Sequence, residues 1–127
     1  MSAGQLFPTT DTAIVDLAAA TSDITPAYFL NDGSYIATAF VAGFDTVSGD
    51  TLAAEMKVAV SVIAGVLAIG PVSTILPLYA PNLPGLGVTI VTDAANLRIL
   101  VEVLGDAGLA GRFADIDVDW SAWGSSP

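Results

Sequence analysis

The run whose side chains come closest to a chemical site is Asp115-Ile116-Asp117-Val118-Asp119, which opens like a calcium loop, D-x-D-x-D. Such a loop needs glycine at its sixth position for the sharp turn and a bidentate glutamate at its twelfth. Those positions hold Trp120 and Ser126, so no metal ligand set is assigned. Asp115 and Asp117 also fit the paired acids of a glycoside hydrolase, whose carboxyls stand roughly 5–9 Å apart. Every D-x-D strand meets that distance, and no aromatic-lined cleft accompanies this one. Histidine and cysteine are absent, which removes the commonest general base, thiolate chemistry and imidazole ligands. Lys57 has no S-x-x-K context, and the glycines of GDAGLAG do not lead into a helix. A serine–lysine nucleophile and a phosphate cradle are both missing. No residue is therefore assigned a catalytic or cofactor-binding role, no cofactor is expected, and the chain reads as a non-enzyme.

The elements that carry these residues read as strands. In FADIDVDWSAW, Ala114, Ile116, Val118, Trp120 and Ala122 fall on one face and the three aspartates stack on the other with Trp123. A helix would scatter them around its circumference. LRILVEV alternates in the same way, with Leu97, Ile99, Val101 and Val103 on one side. The glycine-rich residues 105–111 between the two predict a C-terminal hairpin over 97–123. Its outer face would place Arg98 and Arg112 near Glu102 and the aspartate column. Residues 28–44 predict a second hairpin turning at Asn31-Asp32-Gly33-Ser34. Met56, Val58, Val60 and Val62 alternate with Lys57, Ala59 and Ser61. Their β-branched density favours strand, with helix the competing reading over 51–68. GVTIVT at 87–92 is another strand, whereas 12–20 fits a helical turn or a leading strand. The expected fold is a single all-β domain, a β-sandwich or jelly-roll-like barrel of about seven to eight short strands, with residues 1–12 as an N-terminal arm.

Composition narrows what this domain does. The chain carries 13 acidic and 3 basic side chains, a net charge of −10, the wrong sign for nucleic acid. Charged residues make up 13 % and hydrophobic ones 54 %, against about 25 % charged in ordinary soluble domains. Spread over a monomer surface of about 6,300 Å², the charges leave roughly 400 Å² each, the size of a notable apolar patch. An obligate oligomer, a membrane segment and simple alanine enrichment all fit that shortage, and the oligomer is the leading reading. No charge interrupts the chain between Lys57 and Asp93. A membrane span over 58–80 is long enough, but Gly70-Pro71 and Pro77 break it and no cationic cluster flanks it. The start, MSAGQLFPTTDTA, lacks the basic and apolar regions of a secretory signal. PLYAPNLPGLG (77–87) reads as a Pro/Gly-rich loop, apolar enough to touch a partner through Leu78, Tyr79, Leu83 and Leu86. Trp123 joins them as a candidate interface residue, with packing at a strand end the competing reading. Trp120 belongs to the core row.

The last elements, a strand over Leu97–Val103, a Gly-bearing turn at 105–111 and a strand ending Asp119-Trp120-Ser121-Ala122, resemble the closing hairpin of small tailed-phage virion accessory β-domains. The resemblance covers about 27 residues, and it departs from the family in its longer turn and in Asp-Trp-Ser where Asn-Trp-Arg is usual. It implies a virion structural protein, a capsid decoration or a tail or fibre subunit, commonly a homotrimer docked on a larger protein lattice. Such a protein would sit in the virion after assembly in the host cytoplasm. A small carbohydrate- or receptor-binding module, with Trp123 and Tyr79 as stacking platforms, is the alternative from another class.

Overall fold

The computed structural model describes residues 6–7 and 11–125. They form an all-β fold of two sheets, one curled into a half-barrel. In chain order the strands are β1 (Leu6–Phe7), β2 (Asp11–Asp16), β3 (Thr21–Phe29), β4 (Gly33–Asp45) and β5 (Thr51–Ile63). They continue with β6 (Val66–Ile69), β7 (Ser73–Tyr79), β8 (Gly87–Asp93), β9 (Arg98–Leu104) and β10 (Phe113–Ser125). One sheet runs β1-β3-β9-β8; the other runs β2-β10-β4-β5-β6, with β7 also paired to β5. All the pairings are antiparallel. The 51–68 segment is therefore strand on either side of a turn at Ala64-Gly65, and of the expected arm, residues 6–7 pair as β1 while 11–12 open β2. The remainder of that arm, and Ser126, lie outside the described residues. Residues 58–80 fall in β5 to β7 and their connections, and among the described residues no helix is long and apolar enough to cross a membrane.

Neither expected hairpin exists. β9 and β10 lie in different sheets, and so do β3 and β4. Alternation reports that one face of a strand is buried, but not which strand lies beside it. The turn chemistry explains both crossings. Asp32 does not close its own hairpin: its carboxylate accepts the backbone N–H groups of Ala64 and Gly65 at 2.9 and 3.0 Å, tying this corner to the β5–β6 turn. Ala64 and Gly65 both have positive φ, 51° and 75°, the backbone of a tight two-residue hairpin turn. Beyond β9, Asp106 caps a single 3-10 turn (Ala107–Leu109) through Gly108, and buried Leu109 anchors that connection in the core. The chain then enters β10 on the opposite sheet.

The inner faces of the sheets make one core. β10 contributes Ala114, Ile116, Val118 and Trp120, β5 contributes Leu52 through Val62, and β9 contributes Ile99, Val101 and Val103. Each large aliphatic or aromatic side chain so buried stabilises the fold by about 1.5–3 kcal/mol. The Trp120 indole N–H donates to the Thr25 carbonyl at 2.7 Å. Thr25 sits at a β-bulge between Ile24 and Ala27 with φ 45°, so a core side chain from one sheet fixes an irregular backbone in the other. The surface totals 6259 Å², close to the area expected of a lone domain of this mass.

Candidate functional site

The outer face of the six-stranded sheet follows from register. Opposite residues of antiparallel strands share a face, so the column Ile36, Thr38, Phe40, Ala42 and Phe44 on β4 is flanked on both sides. β10 brings Trp123, Ser121, Asp119, Asp117 and Asp115 beside these residues in that order. β5 brings Ala59, Lys57, Glu55, Ala53 and Thr51. The aspartate column therefore lies outward, as its alternation predicts, with Asp117 and Asp119 exposed and Asp115 half-buried. Among the described residues no group of three or more acidic side chains is arranged to hold a metal ion.

The apolar members of this face are bare. Ile36, Phe40 and Phe44 are each between 44 % and 49 % exposed, and Trp123 is 65 % exposed. A shallow depression of about 310 Å³ opens between Phe40, Leu76, Glu55 and the carboxylates of Asp117 and Asp119. A second, of about 440 Å³, lies at the end of the sheet beside Ser34, Ser61 and Ser125. Trp123 is not packing at a strand end, since its ring stands on the outer face beside Ile36. Ser34, Ser61 and Ser125 form the next row along.

The other candidate interface residues separate. Leu83 is 1 % exposed and belongs to the core, so it is withdrawn from the surface. The turn through Ala80, whose carbonyl accepts the Leu83 N–H, folds it inward. Leu78 and Leu86 are partly buried against the same core. Only Tyr79 stands clear, and residues 77–79 end β7 rather than opening a loop. Tyr79 aligns with Ala53, whereas Trp123 reaches Ala59 through Ile36. Six residues of strand at about 3.3 Å each put roughly 20 Å between those rows, so Trp123 and Tyr79 form no common platform.

The arginines are not beside the aspartate column. Arg98 pairs with Asp93 at 2.7 Å on the β8–β9 hairpin. Arg112 binds Asp45 at 2.9 Å and Asp50 at 2.7 Å, and donates to the Ser48 hydroxyl. Asp45 is buried and accepts the backbone N–H groups of Val47 and Ser48. These two bonds first, and Arg112 after them, lower its pKa to about 2. On the smaller sheet's outer face Asp23 lies opposite Glu102. Burial, then the Asp23 charge, pushes the Glu102 carboxyl above the usual carboxylate range. The sequence reading missed the Ile36–Phe40–Phe44 column because both faces of β4 are apolar. Large residues four apart among alanines were the available signal.

No family model matches the chain, and no curated protein matches it. Among solved structures, 98 % of the chain aligns with the tailspike protein of Acinetobacter phage vB_ApiP_P1 at 14 % identity and a TM-score of 0.37. The chain spans 22 % of that tailspike's length. A likeness this loose carries no functional argument.

Proposed function

We propose that this protein is a non-enzymatic structural subunit that works by assembly, the outer face of its six-stranded sheet docking on a larger protein lattice while copies of the chain meet elsewhere. The observation that supports this reading is the column Ile36, Phe40 and Phe44 with Trp123, half-bare aromatic and aliphatic groups on a regular sheet. Half-exposed rings, each offering up to about 150–250 Å² in full, make a patch of several hundred Å², at the upper end for a monomer. Five strands abreast at about 4.8 Å spacing, three of them thirteen residues long at about 3.3 Å per residue, span about the roughly 800 Å² per partner of a stable interface. The proposal takes the form of a virion tail, fibre or decoration subunit on the strength of the C-terminal strand sequences alone, because β9 and β10 do not close the hairpin that the resemblance implied. Light scattering at micromolar concentration tests it. A native mass above 12.8 kDa is the expected result. A monomer at every concentration overturns it.

A second reading has its own support. Trp123 beside the row Ser125, Ser34 and Ser61 gives a ring and hydroxyls on one surface, the chemistry of a carbohydrate contact. A monomer whose Trp123 emission shifts on titration with neutral oligosaccharide would favour that module.

A further inference from the structure

We propose that a second copy of this chain docks along the open edge of β7, continuing the six-stranded sheet antiparallel across a two-fold axis. This rests on the assembly reading and names the contact by which copies meet.

β7 is hydrogen-bonded to β5 on one side, and no described strand pairs with its other edge. From Ser73 to Tyr79 every side chain is exposed except that of Leu78. Ile75 is 51 % exposed, Leu76 47 % and Tyr79 61 %. A row of unpaired backbone N–H and C=O groups flanked by apolar side chains is a template for another strand. The other edges differ. β2 has Asp11 and Asp16 at its ends and lies next to the aspartate column. β8 is mostly half-buried, β1 has only two residues, and β6, on the same side of β5 as β7, has four, with Leu67 buried.

Charge selects a second copy for this edge. Each copy carries −10, so copies meet best where they have no charge. β6, β7 and the connection after them lie inside the uncharged stretch between Lys57 and Asp93. The sheet's outer face is unsuited to a second copy. Stacking two such faces opposes Asp115, Asp117, Asp119 and Glu55 of one copy with those of the other, and among the described residues Lys57 is the only cation in these rows. Arg98 and Arg112 are held in ion pairs within the chain. Across the β7 edge, a two-fold ladder over Ser73–Leu76 sets Leu76 of each copy opposite Ser73 of the other, so Glu55, beside Leu76, lines up with Lys57 of the other copy, beside Ser73. The two Glu55 side chains are offset along the strands and lie more than three strand spacings, about 14 Å, apart, beyond the screening length of about 8 Å at physiological ionic strength. Pro77 lacks a donor and limits the new ladder to Ser73–Leu76.

Light scattering on three proteins tests this. The native chain is expected at twice its monomer mass. The double variant Ile75→Lys, Leu76→Lys is expected to be monomeric with an unchanged β-type circular dichroism spectrum, and Phe40→Lys is expected to stay dimeric. A dimer that survives the double variant, one dissociated by Phe40→Lys, or a native trimer overturns the β7 contact and leaves the assembly reading standing. A native monomer overturns both. A second measurement uses the absence of cysteine. Single variants Thr74→Cys, Ile75→Cys and Leu76→Cys are oxidised mildly, with Trp123→Cys as the control. At least one β7 position, nearest the two-fold, is expected to yield a covalent dimer. Crosslinking of the control alone overturns the proposal.

Discussion

Asp45 and Glu102 are carboxyls pushed in opposite directions, and they give stability opposite dependences on pH. Asp45 has its pKa lowered to about 2 by the N–H groups of Ser48 and Val47. Its contribution is present above the unfolded value of 3.8 and is lost as pH falls toward 2. Thermal melts between pH 5 and 2 should show that loss in the native chain and a flatter profile in Asp45→Asn, which melts lower at neutral pH. Glu102 is raised by burial and by Asp23, so folding weakens as pH climbs through the unfolded value near 4.5. Glu102→Gln should raise Tm at pH 7, and the gain should vanish at pH 3, where the Glu102 carboxyl is protonated. Trp120→Phe deletes the donor to the Thr25 carbonyl and leaves a void in the core. Urea unfolding should register about 2–3 kcal/mol lost. The remaining tryptophan, Trp123, should emit at longer wavelength than the native average, because it is the exposed one.

Two connections decide which sheet each strand joins. Gly105 leaves β9 packed against the backbone carbonyls of Leu17 and Ala19, where an added Cβ has no room. Gly105→Ala should therefore cost about 1–3 kcal/mol in denaturant melts although the residue is only partly buried. Arg112 ties the start of β10 to the β4–β5 turn through Asp45, Asp50 and Ser48. Arg112→Ala should lower Tm, and Arg112→Lys should restore little, because one ammonium cannot reproduce a fork that reaches three side chains. These contacts also mark where the sequence stops being readable. The strands themselves were legible: alternation placed Ala114, Ile116, Val118 and Trp120 inward and the aspartates outward, although Ala122 of the same row is exposed, and β-branched density favoured strand over helix for Val58 to Ile63. Pairing was not legible. A glycine-rich connection looks the same whether it closes a hairpin or carries the chain to the other sheet, and the bonds that choose are long-range, such as Asp32 to Ala64 and Gly65. The candidate site was half legible for the same reason. Trp123 and the aspartates belong to one strand, but their neighbours Ile36, Phe40 and Phe44 come from another.

At the scale of the molecule the net charge of −10 sets how copies meet. Repulsion between like-charged protomers is screened by salt, so the monomer–dimer constant should tighten as sodium chloride rises from 10 to about 150 mM. Sedimentation at two ionic strengths measures that change, and an association that weakens with salt would argue for a contact built on opposite charges. One further consequence comes from the order of the strands. β2 and β4 both pair with β10, and β3 pairs with β9, so strands from the first third of the chain are completed by strands from the last. On the ribosome β4 pairs with β5 as soon as the latter emerges, but β2 and β3 must wait for β10 and β9, nearly the whole chain, to be synthesised. Closure over such sequence distances is slow, and the waiting strands are open to aggregation or chaperone capture. Nascent chains stalled before residue 113 should therefore be degraded by protease, with resistance appearing only once β10 has cleared the exit tunnel.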